Sequence, residues 1–145
     1  VLVRPLSAPR GWNSFDCIGS PNETQVVAAI RALESGVLGP PAETRFEYVE
    51  MDGFWFDSSD NRAAFESVDQ YGRPCPGHSR FPSCNGSLVS LADQAHAAGL
   101  KLAVWQLFGV TKAAVEMNAP VLGTLYTARD IALVDAPRCG WAGWE

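Results

Sequence analysis

One carboxylate and three indoles occupy the positions in this sequence where chemistry could be done. Asp52 closes the run Phe46-Glu47-Tyr48-Val49-Glu50-Met51 and precedes Gly53-Phe54-Trp55; Trp12 lies in Gly11-Trp12-Asn13-Ser14-Phe15-Asp16-Cys17; Trp105 ends Leu100-Lys101-Leu102-Ala103-Val104. A lone carboxylate closing an apolar strand is costly to bury unless it is paired or liganded. Asp52 is therefore the residue that most requires a functional reading. Aromatic walls joined by a single carboxylate suit a neutral sugar, whose C–H face lies on a ring while its hydroxyls donate to the acid. The same tryptophans serve as core, and composition alone favours core for them.

The remaining polar residues offer less. Asp16 reads as a turn or cap residue. Glu47 and Glu50 are three apart in a strand and face opposite sides, so they cannot act as a pair. His96 reads as a helix-surface residue and His78 as a loop residue, neither with a catalytic role. Nothing matches a glycine-rich phosphate loop.

Four cysteines stand at 17, 75, 84 and 139, with no CxxC pair, and with only two histidines a zinc site is not expected. Cys75 and Cys84 flank a Pro/Gly-rich loop that a disulfide could close, which would suit an exported protein. The alternative is that all four are small buried hydrophobes.

These residues need elements to position them. Asn22 followed by Gln25 resembles a capping box, after which Val26, Ala29, Ile30 and Leu33 recur at helical spacing up to Gly36. Residues Phe46 to Asp52 read as a strand ended by Gly53. From Gly53 to Gly86 no periodicity is sustained, and the embedded aromatics predict a long loop that packs. A second amphipathic helix runs from Ser87 through Leu88, Leu91, Ala92 and Ala95 to Gly99 and feeds directly into a buried strand, Leu100 to Trp105. A weak helical stretch spans Thr127 to Leu133. With a first strand before Gly11, the order is β-α-β-long loop-α-β-loop-(α), which predicts parallel strands with helical crossovers. Ligands of such folds gather at the C-terminal ends of the strands, where Trp12, Asp52, Trp55 and Trp105 all fall.

The chain has 145 residues, 16 acidic and 11 basic side chains, a formal charge of −5, pI near 5.0 and 47% apolar composition. Residues 1–145 are expected to form one domain at most. The basic residues are scattered, which argues against a nucleic-acid partner. No apolar run approaches the roughly 20 residues that cross a bilayer. The Val at position 1 and the ending at Gly140-Trp141-Ala142-Gly143-Trp144-Glu145 read as the ends of a piece of something longer. Oligomeric state is not legible.

At these same residues the chain resembles the α-galactosidase (melibiase) family of glycoside hydrolases, family 27. The resemblance runs through Gly11 to Cys17, Phe46 to Trp55, Asp69-Gln70-Tyr71-Gly72-Arg73 with Arg80-Phe81-Pro82-Ser83, and Leu88 to Leu102, in the same order and with similar spacing. It implies an α/β fold, the first three or so βα units of a (β/α)8 barrel that takes about 250 residues when complete. It further implies a retaining hydrolase of terminal α-linked galactose or a related sugar, working without metal or cofactor. Such enzymes use two carboxylates about 5 Å apart. In the family both are Asp at later strands, the first in a Lys-x-Asp pattern, so nucleophile and acid/base are expected beyond Glu145 and no catalytic residue within this chain. The resemblance assigns Trp12, Asp52, Trp55 and Trp105 to sugar binding. Gly53 replaces the second Asp of a family pair, which weakens the expectation for galactose more than that for a sugar. Phe108 stands where one branch of the family has Arg. The competing expectations are a non-catalytic sugar-binding remnant, or an unrelated α/β domain whose acidic catalytic pair cannot be found here.

Overall fold

The computed structural model describes residues 10–36, 46–56, 68–106 and 109–132. The segment before Arg10, Phe65, Phe108, Leu133, Cys139 and the final residues lie outside this set.

Three parallel strands form one sheet in the order β1-β2-β3: β1 is Gly11–Asn13, β2 is Tyr48–Met51 and β3 is Lys101–Val104. Trp12 pairs in register with Val49, and Val49 with Leu102. The first strand differs from the sequence reading, because Gly11-Trp12-Asn13 is itself strand rather than the loop that follows one. Gly11 makes that possible. A Cβ there would lie 2.7 Å from both Cβ and O of Tyr48, so only glycine lets the two backbones approach this closely.

Helix α1, Glu23–Glu34, starts as the sequence predicts. Asn22 Oδ1 accepts from Gln25 N at 3.0 Å and Gln25 Oε1 accepts from Asn22 N at 3.1 Å, which satisfies two of the amides a helix start leaves unpaired. Gly36, at φ 69°, follows its C-terminal end. Helix α2, Val89–Ala97, ends before Gly99 at φ 73°, and the chain then enters β3. Val26, Ile30 and Leu33 of α1 and Leu91 and Ala95 of α2 pack with Val49 and Met51 of β2, so both helices cover one face of the sheet. Trp55 and Phe81 from the long loop join this core. The described parts of the loop do pack, as their aromatics predict. Its chain path is fixed by Gly77 N donating to Trp55 O and by Phe81 N donating to Gly77 O.

Two cysteine and loop expectations are corrected. Cys75 and Cys84 are not joined as a disulfide. Cys84 instead lies buried at the end of a 3-10 turn, Pro82–Cys84, with Ser90 Oγ of α2 4.0 Å from its sulfur, so its side chain is committed to the core. The loop expected between the strand ending at Trp105 and the weak helix at Thr127 is not all loop. Thr111 Oγ1 accepts from Ala114 N at 3.1 Å and starts a short helix α3, Lys112–Glu116. The same hydroxyl donates to Gly72 O at 3.1 Å, tying this helix to the loop after β2. The weak helix is present as α4, Ala128–Ile131, where Arg129 donates to the carbonyls of Val115 and Glu116 and so closes the end of α3.

Candidate functional site

At the C-terminal ends of β1, β2 and β3 there is a cleft of about 110 Å³, lined by Phe15, Gly19, Ser20, Asp52, Gly53, Phe54, Phe56 and Trp105. Complete small-molecule pockets occupy roughly 300 Å³ or more. The cleft is thus smaller than a complete pocket of that kind. Asp52 is the single carboxylate among the residues that line it.

The carboxylate is held from two sides. Gly53 N donates to Oδ1 at 2.7 Å and Asn13 Nδ2 donates to Oδ2 at 3.1 Å. A carboxylate has about four acceptor positions, so about two remain for a ligand's hydroxyls. The backbone beneath is equally fixed: Asp52 N donates to Ser14 Oγ at 3.0 Å, and Ser14, which is wholly buried, donates its own N–H to Glu50 O at 3.1 Å. Asn13 also accepts, through Oδ1, from Phe15 N at 2.7 Å. Phe15 is 66% exposed although it lines the cleft, which places an aromatic ring in solvent beside the acid.

Of the four sugar-binding residues expected from sequence, the structure brings Asp52 and Trp105 together in this cleft and sets Trp12 and Trp55 behind it. Trp12 packs against the core cluster on the Val49 side of the sheet. Trp55 is 4% exposed, meets Phe56 edge-on at 5.6 Å, and donates Nε1–H to the carbonyl of Trp105 at 2.8 Å. Trp105 lies against Gly53, whose added Cβ would meet its ring at 3.8 Å. Asp16, His78 and His96 are exposed, and Glu50 is half-buried.

The sequence reading assigned no role to Phe15, Asn13, Ser14, Phe54 or Phe56. For the first three a signal was present, since Asn13-Ser14-Phe15 stands at the C-terminal end of the first strand and polar residues at strand ends are the ones loops deliver to a site. Among the described residues no group of three or more His, Cys, Asp or Glu is arranged to hold a metal ion.

Chemically the arrangement offers an oriented acceptor pair on an otherwise apolar, aromatic floor. Its chemistry suits hydroxyl donors at Asp52 and C–H faces on the rings, and its lining residues include no second acid for proton transfer.

The three parallel strands covered by helices, with a cleft at the strand ends, have the arrangement of a partial (β/α)8 barrel. Solved structures agree. The chain superposes on that of an α-N-acetylgalactosaminidase-like protein of Bacillus halodurans C-125 with TM-score 0.81 and 32% identity, covering 96% of this chain and 33% of that one. The family 27 β-L-arabinopyranosidase of Geobacillus stearothermophilus, in complex with arabinose, gives TM-score 0.78 and 34% identity over 95% of this chain and 33% of its own. The α-galactosidase of Cyamopsis tetragonoloba is 34% identical over 98 residues, 67% of this chain and 20% of the relative. No protein-family model matches. The chain belongs to the α-galactosidase-like glycoside hydrolases of family 27. It spans about a third or less of the length of each of these relatives.

Proposed function

We propose that this cleft is one wall of the sugar site of an α-galactosidase-like retaining glycoside hydrolase, acting on terminal α-linked galactose or a related pyranose. The observation that carries the reading is Asp52. A half-buried carboxylate is held by Asn13 and Gly53 and turned to a cleft whose other side chains are aromatic apart from Ser20. An acid that has no cationic partner among the described residues is explained by a ligand that donates hydrogen bonds. Gly53 broadens the range of sugars, because it removes a second acceptor beside Asp52. An arabinopyranose, which lacks the exocyclic carbon of galactose, asks for one acceptor fewer.

A second reading, a non-catalytic sugar-binding remnant, is favoured by Asp52 being the single carboxylate in the lining. The two readings share the sugar and differ in turnover.

The test is titration of the 145-residue chain with galactose and with arabinose, followed by protein NMR shifts, which register millimolar binding. Saturable shifts at Gly53 and Trp105, weakened at least tenfold in Asp52→Asn, are expected. Saturation by either sugar that is untouched by Asp52→Asn would place the ligand elsewhere and end the reading.

A further inference from the structure

Asn13 does not line the cleft, yet its side chain reaches the two features that would recognise a sugar. Nδ2 donates to Asp52 Oδ2 at 3.1 Å while Oδ1 accepts from the backbone N–H of Phe15 at 2.7 Å. We propose that Asn13 is a positioning residue that sets the carboxylate and the rim aromatic in one register, so that a pyranose meets an acceptor for its hydroxyls and a ring for its C–H face at once. This rests on the sugar reading above.

The choice of residue follows from the two bonds. A carboxamide carries a donor NH2 and an acceptor oxygen side by side on a short stem. Asp at this position would keep the acceptor for Phe15 and set a like charge against Asp52; Ala would keep neither bond. Asn13 is itself anchored, since it ends β1 in register with Glu50, and the next residue, Ser14, holds Asp52 N from below. The amide therefore transmits the position of the sheet to both partners. Pre-setting both removes ordering that binding would otherwise have to supply.

The experiment compares wild type, Asn13→Ala and Asn13→Asp by three readouts: galactose and arabinose affinity, melting temperature, and hydrogen exchange at the Phe15 amide. Asn13→Ala should lower affinity about tenfold, the size expected for a lost hydrogen bond to a charged group. Its Phe15 amide should exchange faster, with the fold intact. Asn13→Asp should restore slow exchange at Phe15 and yet bind more weakly than Asn13→Ala, because repulsion displaces Asp52. Three results would overturn the proposal: Asn13→Ala binding within twofold of wild type, an affinity loss matched by a collapse in melting temperature, or Asn13→Asp binding as wild type does. If wild type binds neither sugar while the Phe15 exchange pattern holds, the sugar reading has failed and takes this proposal with it.

Discussion

The indole N–H of Trp55 donates to the main-chain carbonyl of Trp105 at 2.8 Å, joining the loop after β2 to the end of β3 behind the cleft. Trp105 N in turn donates to Met51 O at 2.8 Å, so the backbone of the wall residue is gripped from two directions. Between Gly53 and Trp55, Phe54 takes φ 67°, a left-handed conformation that costs a non-glycine residue about 1–2 kcal/mol. That turn lets Phe54 line the cleft while Trp55, one residue later, enters the core. Strain kept beside a carboxylate is consistent with a site rather than a plain connection.

Trp55 is accordingly expected to act through stability and through Trp105, not through sugar contact. Trp55→Ala should cost about 3–5 kcal/mol in urea unfolding, the usual range for a buried tryptophan. Trp55→Phe keeps most of the ring and loses only the donor, leaving a carbonyl unmatched at about 1–3 kcal/mol. A Trp55→Ala chain as stable as wild type but deficient in sugar binding would return Trp55 to the role of a direct contact.

The 145-residue chain should show no turnover of an aryl α-galactoside above buffer. Retaining hydrolysis needs a nucleophile and a proton donor about 5 Å apart. The cleft presents Asp52 alone, already accepting from Asn13 and Gly53. Turnover that saturates with substrate and disappears in Asp52→Ala would show that this acid does chemistry and does not merely bind.

Much of the frame was legible because it rests on local rules. The Asn22 and Gln25 spacing marks the start of α1, and apolar periodicity with a glycine stop marks both long helices. The second strand is equally plain, since its strand-forming residues stop just before Asp52 and Gly53. What was not legible depends on the third dimension. Gly11 looks like a turn residue in sequence and is a strand residue because Tyr48 crowds it. Trp12 and Trp55 carry the same side chain as Trp105 and face the core, a distinction set by strand register and by one turn at Phe54. Helix α3 is five residues long, too short for periodicity to reveal, and only the Thr111 cap announces it. The order of strands and helices put the tryptophans near the strand ends; geometry decides which of them a ligand could touch.

Cys84 offers a check on the thiol assignment that also has a pH signature. Without a Cys75–Cys84 bridge, dithiothreitol should leave the melting temperature unchanged, whereas loss of a native disulfide would cost about 2–4 kcal/mol. Burial raises the Cys84 thiol above its ordinary 9.0; the Ser90 hydroxyl opposes this and the Glu23 carboxylate adds to it. The unfolded chain therefore gives up this proton first as pH rises. The stabilisation is complete below about pH 9 and is lost progressively as pH climbs through the higher value of the folded state. Cys84→Ala should lower stability at neutral pH by about 1 kcal/mol for the lost apolar volume. It should also flatten the decline above pH 9 relative to wild type. A reductant-sensitive melting temperature, or an alkaline decline identical in Cys84→Ala, would show that Cys84 is not the buried thiol seen beneath α2.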